Sequence, residues 1–328
     1  MINNLIILLL VAILLFFVYL KNNKKNTIYN LIILLLIITI LLFFVYSKNI
    51  KYTKYEKYTN KNRKYQEYEN TIKYEKYTND KIPSLMKKYN VIFVATCRNV
   101  EMYVKKILDN IEKCSKKFNE YCVIIYENDS TDNTRKILND NKKSNYYYIF
   151  EDNIKETRRT KRIERGRNLI LDKIRELNAN DKYQYLIVLD MDEVNYEGKF
   201  VNTIDTCFSI DDWDVLGANQ LGRYYDTWAL RILPDNNYDC EHLVSKKQND
   251  CGGINYNFKP GEFITVDSAF GGTAIYKLSS IPKHCKYNGA YSNGKEKCEH
   301  VDFNKCIKNS GGKIYINSSF INDGDLRK

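Results

Sequence analysis

Tyr185 to Leu189 is five apolar residues in a row, and it runs directly into Asp190, Met191 and Asp192. A short apolar run bounded by charge fits a strand covered on both faces, and such strands belong to sheets sandwiched between helices. From Tyr89 onward, short β-branched runs alternate with charged amphipathic stretches, the pattern of an α/β domain with a Rossmann-like sheet. Strands are expected at Val91 to Thr96, Cys122 to Tyr126, Tyr147 to Phe150, Tyr185 to Leu189, Val215 to Asn219, Thr227 to Ile232, Phe263 to Val266 and Gly272 to Tyr276. Helices are expected near 101–118, 132–142, 161–177 and 301–309. A chain of 328 residues that is 44% hydrophobic can bury such a core, which excludes disorder throughout.

In open α/β sheets ligands gather at the C-terminal ends of strands, where alternate side chains of an extended triplet can point at one cation. Asp190 and Asp192 are therefore candidate metal ligands. A hard ion, Mn²⁺ or Mg²⁺, takes carboxylate oxygens and bridges them to a diphosphate, neutralising charge as a sugar-phosphate bond breaks. The triplet alone is a weak signal, because acidic loops produce it by chance. A second strand ends in Glu127-Asn128-Asp129-Ser130-Thr131-Asp132-Asn133-Thr134. Its acidic and hydroxyl groups can accept hydrogen bonds from a base N–H or ribose hydroxyls; the plainer alternative is a turn in which Ser130 or Thr131 caps the next helix.

In order and spacing, Glu127 to Thr134 resembles the xDDGSTDxT element of family 2-like GT-A glycosyltransferases, and Asp190-Met191-Asp192 resembles their metal-binding triplet. Between them, Arg165-Gly166-Arg167-Asn168-Leu169 is similar to the element whose arginine lies near the nucleotide diphosphate. The resemblance covers residues 91–192. It implies a GT-A fold, Rossmann-like with a mixed sheet, that transfers a sugar from a nucleoside-diphosphate sugar to a glycan, protein or lipid hydroxyl with Mn²⁺ or Mg²⁺. It also implies nucleotide-sugar contacts from Thr96, Arg98, Glu127, Asp129, Arg167 and Asp190. Two departures stand out: Glu127-Asn128 replaces the usual acidic pair, and no glycine follows Arg167-Asn168 at the usual place. Further on, Tyr225 to Arg231 resembles a segment of fungal and viral α-mannosyltransferase-like proteins.

On the acceptor side, the paired Gly271 and Gly272 open a strand where backbone can approach a sugar or diphosphate closely, or simply form a bulge. Asp267 is a candidate general base for an inverting reaction, and Glu299 is the alternative. His300 is the candidate third metal ligand, as several GT-A enzymes complete their metal shell with a histidine; otherwise it is an ordinary residue of a helix's first turn. Cys240, His242, His284, Cys285, Cys298 and His300 could instead be assembled around zinc, but their spacings match no standard finger. Trp213 and Trp228 suit either a sugar platform or the core.

Lysine and arginine outnumber aspartate and glutamate 51 to 40. Part of the excess is the stretch Arg158 to Arg167, which sits between sheet strands and there suits a diphosphate; no nucleic-acid-binding motif accompanies it, so no nucleic-acid partner is expected. Much of the rest lies near the N-terminus. Residues 5–20 are repeated almost letter for letter as 31–47. Both runs are apolar all round, which a soluble core does not require, so residues 1–47 are expected to form two membrane helices. Lys21, Lys24 and Lys25 lie between the runs and a denser basic stretch follows the second, so the positive-inside rule pulls the following domain toward the cytosol, whereas a Golgi-type enzyme would face the lumen. Residues 48–82 are Lys- and Tyr-rich low complexity, with Lys54 to Asn60 recurring as Lys73 to Asn79, and read as a stem before a catalytic domain at 83–328.

Nine cysteines without a CxxC pair leave two local disulfides open, Cys240 with Cys251 and Cys285 with Cys298, against a fully reduced alternative. Two other functions fit the same carboxylates: a nucleotidyltransferase that makes the activated sugar, and an inactive GT-A-like protein of membrane or surface assembly.

Overall fold

The computed structural model describes residues 80–177, 179–222, 224–232 and 258–323. A short helix α1 (Ile82–Met86) comes first, with Pro83 in its opening turn, where a missing N–H is tolerated. Next come β1 (Val91–Cys97), α2 (Glu101–Ser115), β2 (Tyr121–Asn128), α3 (Thr134–Asp140), β3 (Tyr146–Glu151), α4 (Arg159–Glu176), the one-turn α5 (Ala179–Lys182) and β4 (Tyr185–Leu189). A 3₁₀ turn (Glu193–Asn195), α6 (Lys199–Thr203), β5 (Val215–Asn219), β6 (Phe263–Thr265), β7 (Thr273–Lys277), α7 (His300–Asn309) and β8 (Ile314–Ile321) complete the described elements.

The strands form one mixed sheet in the order β3-β2-β1-β4-β7-β5-β8-β6. β1 pairs in parallel with both β2 and β4, β2 in parallel with β3, and β7 runs antiparallel between β4 and β5. Alternation divides the core between the two faces of the sheet. Phe93, Ala95, Ile187 and Leu189 pack on one side with Val104, Ile107 and Ile111 of α2. Ile92, Val94, Leu186 and Val188 pack on the other with Ile170 and Ile174 of α4 and Val301 and Ile307 of α7. Parallel pairing puts the C-terminal ends of β1, β2 and β4 on one edge: Val94 faces Val188, so Thr96 lies level with Asp190, and Thr96 itself faces Tyr126.

Among the strands, the structure departs from expectation in two places. Thr227 to Ile232 is not a strand; only Arg231 makes an isolated bridge, to Ser268. The Asp226 carboxylate accepts the Ala229 N–H at 3.3 Å and turns the backbone there. β8 was not anticipated, because Asn317, Ser318 and Ser319 interrupt its apolar pattern while pairing with β5 and β6 still fills its backbone bonds. No helix among the described residues is long and apolar enough to cross a membrane; the duplicated apolar runs at 5–20 and 31–47 lie outside those residues, as does most of the stem.

Candidate active site

β4 delivers Asp190 to the sheet edge, and β7, its antiparallel neighbour, fixes it there. The Asp190 N–H donates to Gly272 O at 2.9 Å, and the buried Asn195 amide donates to both Asp190 O and Gly272 O, each at 2.9 Å. Thr273 Oγ1 in turn donates to Asn195 Oδ1 at 2.7 Å. Asp192 accepts from Val194 N and starts the 3₁₀ turn that brings Asn195 back. Gly272 has φ +80°, and a Cβ there would lie 2.8 Å from Val194 Cγ2 and 2.9 Å from Asn322 Nδ2. Gly271 is also left-handed, so the paired glycines make the tight approach of β7 to Asp190 sterically feasible.

Arg167 ties the site together from α4. Its guanidinium donates to Asp190 Oδ1 at 3.2 Å and to Glu299 Oε1 at 3.0 Å, between the rings of Phe270 and Tyr287 at 5.2 and 5.6 Å. The next residue, Asn168, bonds the Tyr287 backbone in both directions at 2.9 and 3.0 Å, which fixes that ring against the guanidinium. Among the described residues Arg167 Nη1 has no hydrogen-bond partner, although the residue is only 4% exposed. His300 opens α7 directly after Glu299. It is buried, its ring stacks on Phe270 at 3.8 Å, and Nε2 lies 3.5 Å from Glu299 Oε1, with no hydrogen bond at either nitrogen among the described residues.

The electrostatics set this cluster apart. Desolvation first, and then the neighbouring Asp192 charge, push the Asp190 carboxyl up to about 8, while Arg167 and Arg159 pull it down. Burial, with the Arg167 charge, drives His300 well below the usual histidine range, so it presents a neutral imidazole. Asp190 and Asp192 offer the hard oxygen donors that Mn²⁺ or Mg²⁺ takes, but they and His300 do not converge on one point: among the described residues only His284, Cys285 and Cys306 lie that close together, and His300 meets Asp190 only through Glu299 and Arg167.

The proposed nucleotide contacts occupy the neighbouring strand ends. Thr96 is half-buried near the end of β1, and the exposed Arg98 donates through Nε to Asp129 O at 3.2 Å. Glu127 is fully buried, accepting Ser130 N at 2.8 Å and the Arg135 guanidinium. Asp129 has φ +48° and accepts the N–H groups of Asn153 and Ile154 at 2.6 and 3.2 Å. Asn99 joins the two strand ends, donating to Ser130 Oγ at 2.9 Å and accepting Thr131 N at 2.8 Å.

Of the two acceptor-side carboxylates, Glu299 belongs to the cluster and Asp267 does not. Asp267 pairs with Lys308 at 2.6 Å, eight residues along α7 from His300, or roughly 12 Å of helix. Cys285 forms a disulfide with Cys306, not with Cys298, which stays a buried thiol. Cys298 lies on the chain just before α7, whereas Cys306 faces Cys285 from its last turns. His284 comes within reach of the same two sulfurs, but they are bonded to each other; Cys240, His242 and Cys251 lie outside the described residues. Trp213 is a core aromatic stacked on Tyr185 at 5.6 Å, and Trp228 is half-buried.

Asn195, a neighbour of the carboxylates, had no sequence signal beyond its place five residues after Asp190. Tyr225 and Asp226 open the segment that resembles mannosyltransferase-like proteins, but no site role was given to either; Asp226, its carboxyl pushed up by burial, accepts Gly271 N at 2.9 Å.

No protein-family model and no curated protein sequence matches the chain. Its structural neighbours are glycosyltransferases. The mannosyltransferase PcManGT from Pyrobaculum calidifontis, solved with GDP-Man and Mn²⁺, is 11% identical with a TM-score of 0.42, over 72% of this chain and 56% of that one. Glucosyl-3-phosphoglycerate synthase from Mycobacterium tuberculosis, solved with Mn²⁺, UDP and phosphoglyceric acid, is 11% identical with a TM-score of 0.43, over 77% and 76%. TarS from S. aureus is 13% identical with a TM-score of 0.39, over 71% and 59%. The chain thus spans less than two thirds of the first and the last of these.

Proposed function

We propose that the chain is a metal-dependent glycosyltransferase that moves a sugar from a nucleoside-diphosphate sugar to a hydroxyl acceptor. One observation carries this reading: Asp190 and Asp192 stand side by side at the end of β4, with Arg167 joining Asp190 to Glu299 beside a neutral His300. Asp190 and Asp192 would hold the divalent ion, whose chemistry is to neutralise the departing diphosphate; His300 would join them only if its ring left Phe270 and Glu299. Arg167 pulls the Asp190 carboxyl down against its burial and aims it, since its guanidinium is already fixed by two rings and a second carboxylate. Glu299, better placed than Asp267, takes the proton of the acceptor hydroxyl as that oxygen attacks the sugar carbon. The strand ends at Thr96, Arg98, Glu127 and Asp129 form the wall level with Asp190 where a nucleotide lies.

The duplicated apolar runs support a membrane anchor, with residues 48–82 as a stem. The Cys285–Cys306 disulfide supports a catalytic unit on an oxidising side of that membrane, against the pull of the basic stretch after the second run. A screen of nucleotide-sugars, GDP-mannose and UDP-glucose among them, should reveal Mn²⁺-dependent release of a nucleoside diphosphate, abolished by EDTA, by Asp190→Ala and by Asp192→Ala. Wild-type turnover in both variants would overturn the reading, and release of pyrophosphate would identify a nucleotidyltransferase instead.

A further inference from the structure

Tyr225 lies in the segment that turns back toward β7 instead of forming a strand. Its backbone is fixed by residues that also grip the glycine pair: Tyr225 N donates to Gln220 Oε1 at 3.3 Å, and Gln220 Nε2 donates to Gly271 O at 2.9 Å. The adjacent Asp226 accepts Gly271 N at 2.9 Å. Tyr224 is fully buried, whereas Tyr225 is only half-buried. A Cβ placed on Gly272, whose carbonyl holds the Asp190 N–H, would lie 3.3 Å from the Tyr225 hydroxyl. After burial itself, Asp226 and then Asp190 and Asp192 act electrostatically on that hydroxyl.

We infer that Tyr225 is a further ligand-binding residue of this site, its hydroxyl donating a hydrogen bond to a phosphate oxygen of a nucleoside diphosphate held at Asp190 and Asp192. The inference rests on the glycosyltransferase reading above. A phenol hydroxyl at the Gly272 turn can donate a hydrogen bond, and the acceptor that a carboxylate-held cation brings to this place is an anionic phosphate oxygen. As the sugar departs, charge grows on that phosphate and the hydrogen bond strengthens, so the contact assists departure as well as binding.

The test uses the full chain in detergent, titrated calorimetrically first with Mn²⁺ alone and then with UDP or GDP at saturating Mn²⁺. Tyr225→Phe keeps the ring, so the thermal midpoint and the Mn²⁺ affinity are expected to be unchanged while nucleoside-diphosphate affinity falls about tenfold or more. In turnover, kcat is expected to fall beyond any change in KM. Wild-type nucleotide affinity in Tyr225→Phe overturns the inference and leaves the proposed function standing. An equal loss of Mn²⁺ affinity also overturns it, making Tyr225 a prop for the carboxylates. If the unmodified chain binds neither UDP nor GDP with Mn²⁺, the glycosyltransferase reading itself fails.

Discussion

Around the ends of β1 and β2, the carboxylates are bound within the protein: Glu127 by Ser130 N and Arg135, Asp129 by two loop N–H groups, Asp132 by the N–H groups of Thr134 and Glu101. A few ångströms along the same sheet edge, the end of β4 is arranged in the opposite way. Asp190 and Glu299 share a single arginine, Asp190 is crowded by Asp192, and neither ring nitrogen of His300 has a hydrogen-bond partner among the described residues. Burial alone does not separate the two regions, since Glu127 and Glu299 are both nearly inaccessible. What separates them is crowding. The carboxylates near β1 and β2 each face the chain's own donors, whereas Asp190 and Asp192 raise one another's charge cost, and a cation relieves such crowding.

Removing Arg167 should break this contrast most severely. Arg167→Leu leaves Glu299 buried, and Asp190 part-buried, without their counter-charge, and a loss of about 3 kcal/mol is expected in chemical denaturation. An unchanged unfolding midpoint would mean that the two acids do not depend on it. Gly272→Ala comes next, at about 1–3 kcal/mol, because an L-residue is strained at φ +80° and its Cβ meets Val194 and Asn322. Since Gly272 O anchors the Asp190 N–H, Mn²⁺ affinity should fall as well, which calorimetry would detect.

Glu127→Gln sharpens the comparison from the other side. It removes the charge facing Arg135 and should cost about 1–2 kcal/mol of stability. If Glu127 is only a brace, nucleotide affinity stays constant; if it falls in proportion, the buried carboxylate also reads the nucleotide. The smallest effect concerns acid. Arg165 lowers the Glu151 carboxyl, and the Asn128 amide, followed by backbone N–H groups, lowers that of Asp129. Groups lowered by folding contribute stability that is complete above their unfolded values, about 4, and is lost as pH falls through the folded ones. The thermal midpoint should therefore decline in that acid range, and Asp129→Asn should flatten the decline.

The β4 run and its carboxylates were legible because a short apolar stretch ending in charge has few structural solutions, and Arg167 was legible through the element that resembles a known motif. β8 was not, since Asn317 to Ser319 is polar yet sits inside the sheet, its backbone satisfied by strands distant in sequence. Tyr225 and Asp226 were noticed through a resemblance, but their place beside the glycine pair was not legible for a related reason: the β-branched and aromatic character of the segment suggests extension, but one carboxylate bonding to Gly271 and Ala229 folds it back. Asp267 and Glu299 looked equivalent as carboxylates near glycine or histidine. Only the packing of α7 reveals that one faces Lys308 and the other Arg167.

The guanidinium shared by Asp190 and Glu299 also limits how such a chain can change over generations. Replacing either acid alone shifts the burden of one cation onto the other, so the effects of substitutions at the three positions should be strongly non-additive. A lineage abandoning the ion pair would have to pass through single variants worse than the final combination. The trio is thus expected to be kept or discarded as a unit, even where the surrounding loops drift freely.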